Sequence, residues 1–119
     1  WPGLLTFNLP QNQSLSWDLG DGGHLKNFAV RMPNQNETLE VLNATGPLAI
    51  ASATLAGEAP VRTAANPHHL EILDIGELES GPLSTVIVQS GEKLLLSRVG
   101  AITLEDLRKV DSAIELAKE

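Results

Sequence analysis

The chain has 119 residues, a formal net charge of −7 and no cysteine, with 42% hydrophobic residues but only 3% aromatic ones. That length suits one domain with a modest core, built here from Leu, Val, Ile and Ala. The composition excludes disulfides and thiolate metal sites, and no apolar run reaches the roughly 18 residues of a membrane span. Eight scattered Lys and Arg residues give no basic stripe for a nucleic-acid backbone.

The predicted elements begin with a strand in "LLTFNL", Leu4 to Leu9, closed by Pro10. "QNQSLSWDLGDGG" is polar and Gly-rich and predicts a loop, with Trp17 as its apolar anchor. A second strand is expected in "NFAVRM", Asn27 to Met32, ended by Pro33. "NQNETLEVLNATG" predicts a helix with Asn36 as N-cap, Leu39, Val41 and Leu42 on its apolar face, and Gly46 as the stop.

"PLAIASA" is apolar on both faces and predicts a buried parallel strand, central in the sheet, with "TLAGEAP" as its loop. A short helix or turn is expected after Thr63, a strand in "EILDIG" and a turn in "ELESGP". "LSTVIVQ" and "EKLLLSR" predict a hairpin joined at Ser90-Gly91. The tail "TLEDLRKVDSAIELAKE" predicts one helix, with Thr103 and Asp106 as a capping box. Leu104, Leu107, Val110, Ile114 and Ala117 would form its buried face, packed on "LAIASA". The fold class expected is α/β, an open twisted mixed parallel and antiparallel sheet with flanking helices.

Chemistry-bearing motifs are sparse. The glycines at 46 and 57 lack the Gly-Lys-Ser/Thr ending of a phosphate loop, and no G-x-S-x-G elbow surrounds Ser52. Asp18, Asp21 and His24 lack the oxygen spacing of a calcium loop and read as a solvated turn. His68 and His69 are adjacent, so their rings diverge on any regular element, and they read as surface residues. The sequons at Asn12, Asn36 and Asn43 read as chance in a chain rich in Asn, Ser and Thr. Arg31 lies among apolar residues and needs a partner, either an Asp or Glu ion pair or the carboxylate or phosphate of a ligand. Arg98, before Gly100, carries the same two readings.

"WPGLLTFNLP", "VRMP", "GPLAIASATLAGEAP", "GPLSTVIV" and "SRVGAIT" resemble, in order and approximate spacing, motifs of the YrdC-like family of threonylcarbamoyl-AMP synthases. "SLSWDLGD" is similar to the actinobacterial form. The resemblance spans almost the whole chain but only the second half of the family domain. Residues 1–119 are therefore expected to be the C-terminal portion of one YrdC-like domain, inactive alone and suited to association with an N-terminal half or a second copy. It implies a cytoplasmic nucleotidyltransferase joining L-threonine, bicarbonate and ATP with Mg2+, and feeding tRNA modification. RNA binding occurs in the family, although no basic patch marks it here.

On this resemblance Arg31 and Ser84 are expected near threonine, and Ser52, Ala53, Thr54 and Arg98 near the nucleotide. No catalytic side chain or metal ligand is assigned. The family loop runs close to T-S-A-N-x-S-G, whereas this chain has Ala51, Thr54 and Ala56 at the first Thr, the Asn and the second Ser. Val88 stands where the family S-T-V-V-D motif has Asp. Each lost bond to a charged ligand costs roughly 1.5–3 kcal/mol, so an alternative expectation is a degenerate paralogue that binds nucleotide or RNA without synthesis.

Overall fold

The computed structural model describes residues 1–12, 14, 22, 24, 26–54, 57–64 and 71–118. Expectations at Trp17, Asp18, Asp21, Ala56, His68 and His69 lie outside the described residues. The chain divides into two compact units, one of Trp1–Leu48 with Pro82–Glu119 and the other of Ala49–Gly81.

The first unit is a five-stranded sheet with two helices. The strands are β1 (Leu5–Pro10), β2 (Asn27–Val30), β3 (Thr85–Ser90), β4 (Lys93–Arg98) and β5 (Glu115–Leu116), and the helices are α1 (Asn36–Thr45) and α2 (Leu104–Val110). Strand order is β2-β1-β3-β4-β5. β1 pairs antiparallel with β2 and parallel with β3, while β4 pairs antiparallel with β3 and parallel with β5. This is the expected open mixed sheet.

Alternation along the strands sorts the two faces. Ile87, Leu96, Leu107 and Ile114 form the buried core, with Leu5, Phe7, Leu94, Ile102 and Leu104 packed against it. Thr6, Asn8, Val86 and Val88 alternate with the core residues and take the other face of β1 and β3. The hairpin forms one residue on from the expected Ser90-Gly91 joint: Ser90 ends β3 opposite Lys93, and Gly91 and Glu92 make the two-residue turn, with Gly91 at φ 62°, where a Cβ would be strained.

Three expectations are corrected in this unit. The tail is not one helix, because α2 stops at Val110 and Asp111 is extended. The Asp111 carboxylate accepts the Ala113 amide at 2.9 Å, turning the chain so that Ile114 enters the core and β5 pairs with β4. Leu107 and Ile114 are both buried but on different elements, and Val110 is 91% exposed. The side-chain bond from an Asx residue competes with the helix ladder and ends it. Helix α2 also packs through Leu107 into the core with Ile87 and Leu96 rather than on "LAIASA". In α1 the N-cap is Gln35, one residue earlier than expected; Gly46 is the C-cap at φ 78°, and Val41 lies exposed off the half-buried stripe of Leu39 and Leu42.

A fourth correction concerns "LAIASA", which is not a strand. Residues 48–53 are exposed, Ile50 at 93%, and take no place in the sheet. An apolar run becomes a strand only where neighbours supply its ladder, and these residues have none. "EILDIG" likewise forms no strand.

Within the second unit, the Leu78 amide donates to the Arg62 carbonyl at 2.8 Å and Arg62 Nε donates back to the Leu78 carbonyl at 2.7 Å. Arg62 also pairs with Glu77 at 2.9 Å. Both side chains of that pair are exposed, so it contributes at most about 1 kcal/mol.

Candidate functional site

Four strand termini collect at one end of the sheet: the starts of β1 and β3 and the ends of β2 and β4. Arg31 follows β2, Ser84 precedes β3 and Arg98 ends β4, so the topology brings these residues to one end from sequence positions far apart.

Arg98 reaches its place through a bulge. Ile87 pairs with Leu96, but Val86 pairs with Arg98, leaving Ser97 without a partner. Strict alternation after Leu94 and Leu96 would turn Arg98 toward the core. The extra residue re-aims it to the face of Val86, the usual effect of a β-bulge beside a site.

There the guanidinium closes on Ser84. Nε and Nη2 donate to the Ser84 carbonyl at 3.1 and 2.9 Å, and Nη2 also donates to the Ser84 hydroxyl at 3.0 Å. The Thr6 hydroxyl donates to the same Ser84 Oγ at 2.9 Å. Ser84 is 8% exposed. Sequence reasoning missed Thr6. Its signal was a polar residue between Leu5 and Phe7 in a strand whose alternation aims those two inward.

The turn after Arg98 is pinned by Thr85, which is 0% exposed. Thr85 Oγ1 donates to the Ile102 carbonyl at 2.7 Å and accepts the Gly100 and Ile102 amides at 3.1 and 2.9 Å. Gly100 lies so close to β3 that an added Cβ would stand 2.6 Å from the Ser84 carbonyl carbon and 2.7 Å from its oxygen. "SRVG" thus needs glycine for close approach rather than for an unusual φ.

Arg31 Nε donates to the Gly3 carbonyl at 3.1 Å. Among the described residues neither Arg31 nor Arg98 pairs with a carboxylate; the ion pairs there are Arg62–Glu77, Lys93–Glu115 and Lys109–Asp106. No described hydrogen bond joins Arg31 to the Thr6–Ser84–Arg98 set.

Ser52, Ala53 and Thr54 lie in the second unit. There Ser52 Oγ accepts the Thr54 amide at 3.0 Å, a side-chain turn, and Thr54 Oγ1 accepts the Val61 amide at 3.0 Å. Thr54, at the family Asn position, ties the loop to its own return.

On β1, Asn8 carries a buried Oδ1 without a hydrogen-bond partner among the described residues, beside Val88 in the parallel register. Among the described residues no group of three or more His, Cys, Asp or Glu is arranged to hold a metal ion. Among them, too, no helix is long and apolar enough to cross a membrane.

Fold and site together define an α/β protein with an open mixed sheet and exposed cations, uncompensated by described carboxylates, at one end of it. Such cations suit a carboxylate or phosphate ligand. The Sua5–YciO–YrdC family model, described as telomere recombination, matches residues 1–100, and the chain belongs to that family. A Mycobacterium tuberculosis relative with a provisional threonylcarbamoyl-AMP synthase name is 32% identical over 116 residues, covering 92% of this chain and 52% of that protein. The threonylcarbamoyl-AMP synthase of Pyrococcus abyssi is 33% identical over 126 residues, covering 98% of this chain and 36% of that one. The crystal structure of P. abyssi Sua5 complexed with L-threonine superimposes with a TM-score of 0.79 at 31% identity, over 98% of this chain and 36% of that one. The chain therefore spans from about a third to about half the length of these relatives.

Proposed function

We propose that this chain is part of a threonylcarbamoyl-AMP synthase, a nucleotidyltransferase that joins L-threonine, bicarbonate and ATP for tRNA modification. The observation that carries the reading is the exposed Arg98 guanidinium fixed on Ser84 without a described carboxylate partner. It is supported by the likeness to a relative whose structure was solved with L-threonine.

In this reading the threonine amine attacks bicarbonate with loss of water, and the resulting carbamate attacks the α-phosphate of ATP, releasing pyrophosphate. Every partner is anionic or becomes so, and fixed cations offset that charge without reorganising. Arg31 and Ser84 are assigned to the threonine carboxylate. Arg98, Ser52, Ala53 and Thr54 are assigned to the nucleotide. Mg2+ would enter with the ATP phosphates and supply charge neutralisation. The described residues offer no cluster to hold it, so no step is routed through it. Cytoplasmic action belongs to the same reading.

The decisive experiment incubates the protein with ATP, L-threonine, bicarbonate and Mg2+ and follows threonylcarbamoyl-AMP and pyrophosphate by mass spectrometry. Calorimetry of L-threonine runs beside it on the wild type and Ser84→Ala. Threonine binding that is absent, or indifferent to Ser84→Ala, overturns the assignment. A second reading is favoured by Ala51, Thr54 and Val88, which remove polar groups of the family pattern. It is a nucleotide-binding paralogue without synthesis, and ATP binding with no product formed would select it.

A further inference from the structure

The Ser84 hydroxyl has one proton to donate and two lone pairs to accept with. Arg98 Nη2 engages one lone pair at 3.0 Å, and the Thr6 hydroxyl, 2.9 Å away, can donate to the other once the Ser84 proton is claimed by a ligand. Arg98 can only donate, so its share is fixed by chemistry. A ligand carboxylate, which can only accept, claims the Ser84 proton and leaves Thr6 as the donor of that pair.

We propose that Thr6 is a positioning residue that makes the Ser84 hydroxyl a dedicated donor to the carboxylate of the amino-acid substrate; this rests on the assignment of Ser84 to threonine above. With Thr6 donating into Ser84, the serine oxygen is polarised and its own proton is directed to an incoming acceptor. Thr6, Ser84 and a carboxylate then form a chain of hydrogen bonds running one way, in which each bond strengthens the next. Arg98 reinforces the same polarity. A ligand offering only donors at that point leaves the Ser84 proton unmatched, so the pair discriminates for an anionic oxygen. Thr6 and Ser84 are 78 residues apart in sequence, and the parallel register of β1 with β3 brings them together.

The test measures L-threonine, L-threoninamide and ATP affinities by calorimetry in Thr6→Val, Thr6→Ala, Thr6→Ser and Ser84→Ala. Both hydroxyl-free variants at position 6 are expected to weaken L-threonine about fivefold to tenfold while ATP stays within about twofold. Thr6→Ser should restore threonine binding. L-threoninamide, which lacks the carboxylate, should bind the wild type and Thr6→Val alike. If Ser84→Ala weakens threonine but Thr6→Val and Thr6→Ala do not, the Thr6 proposal fails and the function stands. If Ser84→Ala has no effect, the assignment of Ser84 fails first. Equal losses for ATP, threonine and threoninamide in both hydroxyl-free variants would mark a structural role and overturn the proposal.

Discussion

Arg98 grips Ser84 twice, through the carbonyl and through the hydroxyl, with Nη2 2.9 Å from the first and 3.0 Å from the second. A planar fork can hold both oxygens and still present its outer edge to solvent, which an ammonium cannot do. Arg98→Lys should therefore keep the charge and lose the grip. ATP affinity is expected to fall about tenfold in calorimetry, with the melting temperature lowered by only a few degrees. Unchanged ATP affinity would remove Arg98 from the nucleotide site.

Gly100 and Thr85 hold the turn that follows. Gly100→Ala drives a methyl into the Leu83–Ser84 backbone, with no flexible side chain there to yield. The expected loss is about 2 kcal/mol or more in urea unfolding. Thr85→Val deprives the half-buried Gly100 and Ile102 amides and the Ile102 carbonyl of their partner and should cost about 2 kcal/mol. Because both changes loosen one turn, the double variant should lose less than the sum. Full additivity would show that the two act separately.

What the sequence made legible was local. The hairpin at Gly91, the α1 stop at Gly46 and the Thr103–Asp106 cap each depend on residues within a turn of one another, and all three form. Features resting on distant partners were hidden. "LAIASA" reads as a strand from its apolar run, yet it has no ladder and lies exposed. The tail pattern from Leu104 to Ile114 fits a helical face, yet Asp111 breaks it, and Ile114 reaches the core by another route. The motifs named Arg98 and Ser84, but the bulge that turns Arg98 toward Ser84 is a matter of register, which only pairing reveals. Alternation marks Thr6 as facing away from Leu5 and Phe7, but its meeting with Ser84 is likewise a matter of register.

Asn8 offers a gain in stability. Its buried Oδ1 has no partner among the described residues, and Val88 beside it on β3 cannot supply one. Removing an unsatisfied buried acceptor returns its desolvation cost, so Asn8→Val should raise stability by about 1 kcal/mol in urea unfolding. A loss of similar size would show that the amide makes a compensating interaction.

Acid should act on α2 through Asp106. Hydrogen bonding to Lys109, then to the Thr103 hydroxyl, holds the Asp106 carboxyl below its ordinary value. A carboxyl depressed in the folded state stabilises it above the ordinary carboxylate range and loses that effect as pH falls through the depressed value. The stability difference between wild type and Asp106→Asn should be present at neutral pH and disappear in acid below that range. A difference that persists there would assign the effect to the Thr103 cap alone.

The last prediction concerns Thr54, where this chain departs from the family loop. Its hydroxyl oxygen accepts the Val61 amide, while its own amide is held by Ser52 Oγ. Both bonds are exposed and close the loop on itself. Thr54→Val keeps the side-chain shape and frees the Val61 amide, so hydrogen exchange at Val61 should accelerate several-fold. The bonds of the sheet and of Ser84 lie in the other compact unit, so the denaturation midpoint of the sheet should stay where it is. Thr54→Asn is the informative partner. Its side-chain carbonyl can still accept from Val61, and its amide adds two N–H donors with a longer reach than the single O–H of threonine. If the family asparagine serves the nucleotide, ATP affinity should rise about tenfold in Thr54→Asn while Val61 exchange stays slow. Slow exchange with unchanged ATP affinity would mean that this position closes the loop and touches no nucleotide.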